Sequence, residues 1–225
     1  MFADGAKEAL WLRGNLSWKL WPQQRPIYET VKQLPLSVLV VVFLCARQFG
    51  KSVLGLIMAI EDCLTNPDVV VMIIAPTIKQ ARDIVRPRMR LVAKDAPEGL
   101  IKAMKSDDTW YFANGSELKL GGFDTNAMAQ RGKTIHKIYF EETADSDGDD
   151  YLDFLRSDLG PALTHSAHAQ IIHLTTLPKI PDHPFVLDTM PEAEMGGAFF
   201  KFTIHHNLKL TAEKYAQCVK LCGGE

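Results

Sequence analysis

The sequence lacks most features that would place it in a specialised class. Its four cysteines, Cys45, Cys63, Cys218 and Cys222, form no framework of paired spacings, which argues against a disulfide-stapled secreted fold and for a reducing, cytosolic setting. No apolar run is long enough to cross a bilayer. The longest, Ser37-Val-Leu-Val-Val-Val-Phe-Leu-Cys-Ala46, is about half of what a span needs. The first ten residues, MFADGAKEAL, lack the basic-then-apolar pattern of a secretory signal. Low-complexity tracts and internal repeats are absent, and 47% of the residues are apolar, which excludes a disordered chain. Net charge is only −2, so the chain as a whole does not attract nucleic acid by its charge.

Charge is instead segregated. Lys79, Arg82, Arg86, Arg88, Arg90, Lys94, Lys102 and Lys105 face only Asp83, Asp95 and Glu98 across 79–105, whereas 141–158 is acidic apart from Arg156. Each run reads equally well as a solvated helix face. His205, His206, Cys218 and Cys222 contain metal-ligating atoms, but their spacing is not a common zinc pattern, and the two cysteines read as the buried face of a last helix.

Apolar runs alternate with amphipathic stretches, the pattern of an α/β fold with a mostly parallel sheet flanked by helices. Segment 38–44 is apolar on both faces and reads as a central strand. It is followed by a helix over 51–64, ended by Asn66-Pro67-Asp68, and a second buried strand over 69–75. A helix over 79–94 follows, with Pro87 expected to kink or split it. Asn114-Gly115 sets a hairpin in 109–120, and 121–132 reads as a polar loop. Strands are expected over 135–140, 170–175 and 199–204, and helices over 151–163 and 211–221.

The stretch Cys45-Ala46-Arg47-Gln48-Phe49-Gly50-Lys51-Ser52 ends like a phosphate-binding loop, and it lies between a strand and a helix, the context that gives that pattern meaning. Backbone amides of 45–52 and the positive end of the helix would cradle phosphates. Lys51 would hold the β- and γ-phosphates, Ser52 would bind Mg²⁺, and Arg47 would stabilise charge developing during transfer. Cysteine stands where the first glycine of the pattern is usual.

ATP hydrolysis also needs a carboxylate for Mg²⁺ and a group that orients water, both at the C-terminal end of a neighbouring strand. Glu141 and Glu142 follow such a strand. Glu141 is assigned to Mg²⁺ through water, and Glu142 to the attacking water. A metal cluster built from Asp145, Asp147, Asp149 and Asp150 is the weaker reading of the acids that follow.

Together these segments resemble the N-terminal ATPase domain of the large terminase subunit, the DNA-packaging motor of tailed bacteriophages. The resemblance runs from about 18 to 210. It rests on the Arg47-Gln48 pair before Gly50-Lys51-Ser52, on Ile74-Ala75-Pro76-Thr77 with Gln80-Ala81, on Phe112-Ala113-Asn114-Gly115-Ser116, and on Arg131-Gly132. Cys45 and Glu141 depart from the family's usual small residue and aspartate. The resemblance implies a P-loop NTPase of the ASCE type, with ATP and Mg²⁺ as cofactors. Pro22-Gln23-Gln24 would be its adenine motif, with Gln24 the first choice as adenine reader and Gln23 the second. Thr175 and Thr176, before Pro178, would form its coupling motif.

It further implies double-stranded DNA, a portal protein and a small terminase subunit as partners, assembly as a homo-oligomeric ring on the portal, and action in the host cytoplasm. Lys79, Arg82, Arg86, Arg88 and Arg90 become candidates for DNA contact or for action on a neighbour's ATP. On this reading 1–35 is the adenine-binding region, 36–210 the P-loop core and 211–225 a helix leading towards a nuclease domain that this chain is expected to lack. A superfamily 2 helicase-like ATPase and a non-hydrolysing assembly module share parts of the layout and are the alternatives.

Overall fold

The computed structural model describes residues 4–35, 37–103, 108–123, 135–159, 169–176, 180–206 and 210–221. Its centre is an eight-stranded sheet: β1 (Val40–Cys45), β2 (Val70–Ala75), β3 (Ile101–Ala103), β4 (Thr109–Phe112), β5 (Glu117–Gly122), β6 (Lys137–Glu141), β7 (Gln170–Thr175) and β8 (Phe199–Phe202). The spatial order is β3-β4-β5-β2-β6-β7-β1-β8. All pairings from β5 to β8 are parallel, and β4 is antiparallel to both β3 and β5.

Helices cover both faces: α1 (Asp4–Leu12), α2 (Arg25–Gln33), α3 (Lys51–Thr65), α4 (Ile78–Val92), α5 (Gly148–Asp153), α6 (Met190–Met195) and α7 (Ala212–Leu221). A strand's side chains alternate between faces, and the core divides accordingly. Val41, Phe43, Val71, Ile73, Tyr139, Ile172 and Leu174 pack with α1 to α4. Val40, Val42, Met72, Ile74, Ile138, Phe140 and Ile171 pack on the other face with Tyr151, Phe154 and Phe185.

Most expected elements occur within a residue or two of their expected bounds, and β7 coincides with its expected bounds. α4 departs from expectation by running unbroken through Pro87. Thr77 accepts from the Gln80 amide and starts the helix, while the Pro87 ring sits on its exposed side. The Asn114-Gly115 hairpin is wider than a two-residue turn. Gly115 donates to the Phe112 carbonyl at 3.1 Å with φ 86°, and Phe112 donates to the Ser116 carbonyl, giving a bulged loop. Its side chains also bind elsewhere: Asn114 Nδ2 donates to the Cys63 carbonyl at 2.8 Å and Ser116 Oγ to the Asn66 carbonyl at 2.6 Å, closing the C-terminal end of α3. The short edge strand β3 and helices α1, α2 and α6 add to the elements expected from the sequence. The helix expected over 151–163 is α5 continued by a wider turn over Phe154–Leu159. Its end, together with Lys105, Arg131-Gly132, Pro178 and Cys222, lies outside the described residues, as does the side chain of Cys218.

Several polar groups buried within this sheet are paired. His173 on β7 stacks on Phe140 with ring centres 4.7 Å apart, and its Nδ1 lies 3.0 Å from Thr143 Oγ1. Burial pushes its pKa down to about 3. An imidazole that must stay neutral in the fold but charges when unfolded contributes stability above pH 6.5, and that stability is lost as pH falls towards 3. At pH 5 this one group should cost about 2 kcal/mol relative to pH 8. Chemical denaturation at the two pH values should show that loss, and His173→Phe should flatten the pH dependence even if its absolute stability is lower. An unchanged slope would mean that the imidazole is not held neutral.

Candidate nucleotide site

β1 ends at Cys45, and the chain then turns through 46–50 into α3. Left-handed backbone falls at Gln48 (φ 59°) and at Gly50 (φ 92°), not at Cys45. The residue at the loop's first position therefore needs no glycine. Cys45 completes β1, with its thiol pushed up to about 12 by burial, and serves as a small uncharged core side chain. Gly50 is the true constraint. A Cβ there would lie 2.6 Å from Gln24 Nε2 and 3.0 Å from the Trp21 ring. Gln24 donates from Nε2 to the Gly50 carbonyl at 2.7 Å and accepts from the Trp21 amide at 2.7 Å, so the Pro22-Gln23-Gln24 segment braces the loop directly. Gln23 is also buried, but neither atom of its side-chain amide has a hydrogen-bond partner among the described residues.

The loop faces the two carboxylates across β7, which lies between β1 and β6. Ser52 Oγ donates to Glu141 Oε2 at 2.9 Å, and Lys51 Nζ pairs with Glu142 Oε1 at 3.0 Å. Glu142 stands in the left-handed region (φ 52°), just past β6, and its second oxygen accepts from Thr176 Oγ1 at 3.0 Å. Phosphate loop, strand-end carboxylates and the end of β7 thus form one bonded cluster. Thr175 and Thr176 are both buried.

Glu141 is 2% exposed, and burial raises its pKa to about 7 against the opposing effects of the Ser52 bond, Lys51 and Arg88. It has room because α3 carries Gly55 opposite: a Cβ at Gly55 would meet Leu174 Cδ1 at 2.7 Å and Glu141 Oε1 at 3.3 Å. A buried carboxylate bonded to a hydroxyl is an oxygen donor set suited to a hard cation, so Ser52 and Glu141 fit a role in holding Mg²⁺. The acids after Glu142 form no such set among the described residues. Asp147 instead caps α5, accepting from the Asp149 amide at 2.9 Å.

A cleft of about 620 Å³ opens over this cluster, lined by Trp21, Gln48, Gly50, Lys51, Ser52, Val53, Glu142, Arg88, Leu210 and Lys214. Trp21, Arg88 and Lys214 carry no sequence signal that would place them there. Arg47 is exposed and lines a separate hollow of about 280 Å³ with Thr176 and Lys201. On α4, Arg82 holds both Asp108 oxygens through Nε and Nη2, and Arg86 Nη2 bonds the same carboxylate at 2.5 Å. Burial alone would raise the Asp108 pKa, but these bonds outweigh it and hold it below the usual range. Lys79 and Arg90 are exposed. A larger hollow, about 840 Å³ beside Met89, Ile101 and Trp110, receives nothing from the phosphate loop and lies away from the chemistry.

A phosphate loop on a parallel sheet, with one strand between it and a strand-end carboxylate pair, defines a P-loop NTPase of the ASCE type. Residues 42–189 match the family model for the terminase large subunit, T4likevirus-type, N-terminal, and the chain belongs to that family. Among solved structures, the large terminase of bacteriophage HK97 superposes with a TM-score of 0.71 at 14% identity, over 91% of this chain and 47% of that one. The large terminase of a thermophilic bacteriophage, in complex with ADP, gives 0.68 at 15% identity, over 90% and 50%. The ATPase domain of the Thermus phage P74-26 large terminase gives 0.58 at 18% identity, over 94% and 90%. These likenesses share the fold, and the chain spans about half the length of the first two proteins. A search of curated proteins returned no match.

Because Gly50 combines a positive φ with contact from two side chains, Gly50→Ala should strain the loop by about 1–3 kcal/mol. Thermal melting and nucleotide titration should both register the change. An alanine variant with wild-type melting and affinity would show that the loop relaxes freely.

Proposed function

We propose that the chain is the ATPase unit of a viral DNA-packaging motor, hydrolysing ATP to move double-stranded DNA into a capsid precursor. The observation that carries this reading is the bonded relay from Lys51 to Glu142 to Thr176. Mg²⁺ held by Ser52 and Glu141 would neutralise phosphate charge. The chain's own groups do the rest. Triphosphate entering the cleft competes with Glu142 for Lys51 Nζ, because both are anions on one ammonium. Glu142, released on that side, accepts a hydrogen bond from the attacking water and orients it. Thr176 loses or regains its bond as Glu142 moves, which passes the state of the site to the end of β7. Arg47 lines a separate hollow with Thr176 rather than the cleft, and this reading gives it no step.

The adenine contact is assigned to Gln23 and the bracing of the loop to Gln24, reversing the order that the resemblance implies. Gln24 already spends its carbonyl on Trp21 and an N–H on Gly50, whereas the Gln23 amide is unpaired among the described residues. That amide is closed to solvent, so a base would have to uncover it. A base that satisfied it would remove the penalty for burying an unpaired amide. Partners on this reading are duplex DNA, a portal and a small terminase subunit, with the subunits arranged as a ring in the host cytoplasm. Among the described residues no helix is long and apolar enough to cross a membrane.

Steady-state ATP hydrolysis with Mg²⁺, with and without duplex DNA, tests the reading. Lys51→Ala and Glu142→Ala should each lower turnover on the order of 10²-fold or more, with Glu142→Ala retaining nucleotide binding. If both variants match the wild type while nucleotide still binds, the carboxylate assignment is wrong and a non-hydrolysing assembly role takes its place. For the base, Gln23→Ala should reduce the preference for ATP over GTP, and Gln24→Ala should weaken both nucleotides alike. The opposite pattern would restore Gln24 as the adenine reader.

A further inference from the structure

Arg88 differs from the other basic residues of α4. Arg82 and Arg86 are committed to Asp108, and Lys79 and Arg90 point to solvent. Arg88 is half-buried, lines the cleft with Lys51, Ser52 and Glu142, and makes no ion pair among the described residues. It sits seven positions after Ala81 and four before Val92, on the stripe that otherwise buries Ala81, Val85 and Val92. A guanidinium on an apolar stripe costs free energy unless something binds it. Its one hydrogen bond among the described residues runs from Nη1 to the Ile84 carbonyl at 2.5 Å, one turn back along the helix. That carbonyl is a weak partner for a full charge.

Position explains where the side chain reaches. α4 begins just after Thr77, close past the C-terminal end of β2, the strand beside β6. Helix side chains lean towards the helix N-terminus, so Arg88 leans back towards the strand ends, and its bond to Ile84 follows that lean. The cleft therefore holds Lys51, Arg88 and Lys214 against one lining carboxylate, Glu142, which Lys51 already engages. That surplus of positive charge suits a polyanion. Arg88 comes from α4, which packs against α3 and β2, so it reaches the cleft from a different element than the loop and shares that lining with Lys51, Ser52 and Glu142.

We infer that Arg88 acts in cis: it binds the terminal phosphate of ATP held by its own subunit's phosphate loop and thereby distinguishes ATP from ADP. This rests on the nucleotide-site reading above. In exchanging the Ile84 carbonyl for a phosphate oxygen, the guanidinium gains a charge-assisted bond that ADP cannot supply.

The test titrates the full chain with Mg²⁺ and either ADP or ATPγS. Arg88→Ala should weaken ATPγS by about 10-fold or more while changing ADP by less than about 3-fold. Arg88→Lys should fall between, and melting curves check that both variants fold. Mixing Arg88→Ala with Lys51→Ala protein should not restore turnover, because a cis residue cannot be lent by a neighbour. Equal weakening of both nucleotides, no weakening of either, or rescue on mixing would overturn the inference. Unchanged nucleotide affinities with weaker duplex binding would overturn it too and assign Arg88 to DNA. Lys51→Ala separates this outcome from failure of the site itself. If the wild type binds neither nucleotide, or Lys51→Ala binds both normally, the nucleotide-site reading falls and the inference with it. If Lys51→Ala loses both while Arg88→Ala keeps its preference, only the inference falls.

Discussion

A carboxylate buried at the end of a parallel sheet must be compensated, and the arrangement of this molecule follows from how Glu141 is. Removing an ion from water costs several kcal/mol even after relaxation. The Ser52 hydroxyl and the nearby Lys51 charge oppose that cost, but burial outweighs them and raises the carboxyl's pKa to about 7. The site is thus left short of positive charge at the spot where a cation would complete it. To reach Ser52 at all, β6 must lie within one strand of β1, and α3 must present Gly55 where any larger residue would press on Leu174 and Glu141. Strand order, helix composition and loop position all serve this contact.

Glu142 is held by a different logic. A glutamate at φ 52° stores strain of about 1–3 kcal/mol, and its surroundings supply the restraint. Lys51 and Thr176 take its two carboxylate oxygens, its amide donates to the Leu174 carbonyl at 3.4 Å, and its carbonyl accepts from the Asp145 amide at 2.9 Å. Two of these bonds go to the end of β7 and one to the phosphate loop. Removing the loop's contribution leaves a strained residue tied mainly to β7. On the proposed reading, a change at the phosphate end would therefore be felt first at Thr176, which keeps its bond to the second carboxylate oxygen.

The sequence made legible what depends on local pattern. β7 is a short, mostly apolar run buried along its whole length, and its limits are readable to the residue. Gly50-Lys51-Ser52 after an apolar run locates the loop. Cys45 looks like a defect only when the motif is read as a list of positions. The backbone shows that positive φ is needed at Gln48 and Gly50 and nowhere earlier in the loop. The sequence could not show which of five basic residues on one helix turns inward, since that depends on where α4 meets α3 and on Asp108, whose pairing with Arg82 and Arg86 spans more than twenty residues. Nor could it rank Gln23 against Gln24, because neighbours in a 3-10 turn face different surroundings and only the fold decides which amide is already spent.

The N-terminal segment belongs to the site for the same reason. Glu61, fully buried on α3, accepts from the Leu16 amide at 2.5 Å and the Tyr28 hydroxyl at 3.2 Å and pairs with Lys32 at 3.1 Å. That clamp fixes 16–32 to the helix that begins with Lys51. A second clamp lies at the other end of α4, where Asp95 accepts from Trp11 Nε1 at 3.1 Å and pairs with Lys19. The segment carrying Trp21, Gln23 and Gln24 is therefore tied both to the helix that starts at the phosphate loop and to the helix that carries Arg88. These clamps join the segment to α3 and to the end of α4, so on the proposed reading the elements that would meet phosphate and base are held to one another. With Arg82 and Arg86 joined to Asp108 on the hairpin side, α4 is the element through which the occupied cleft would act on the far half of the sheet.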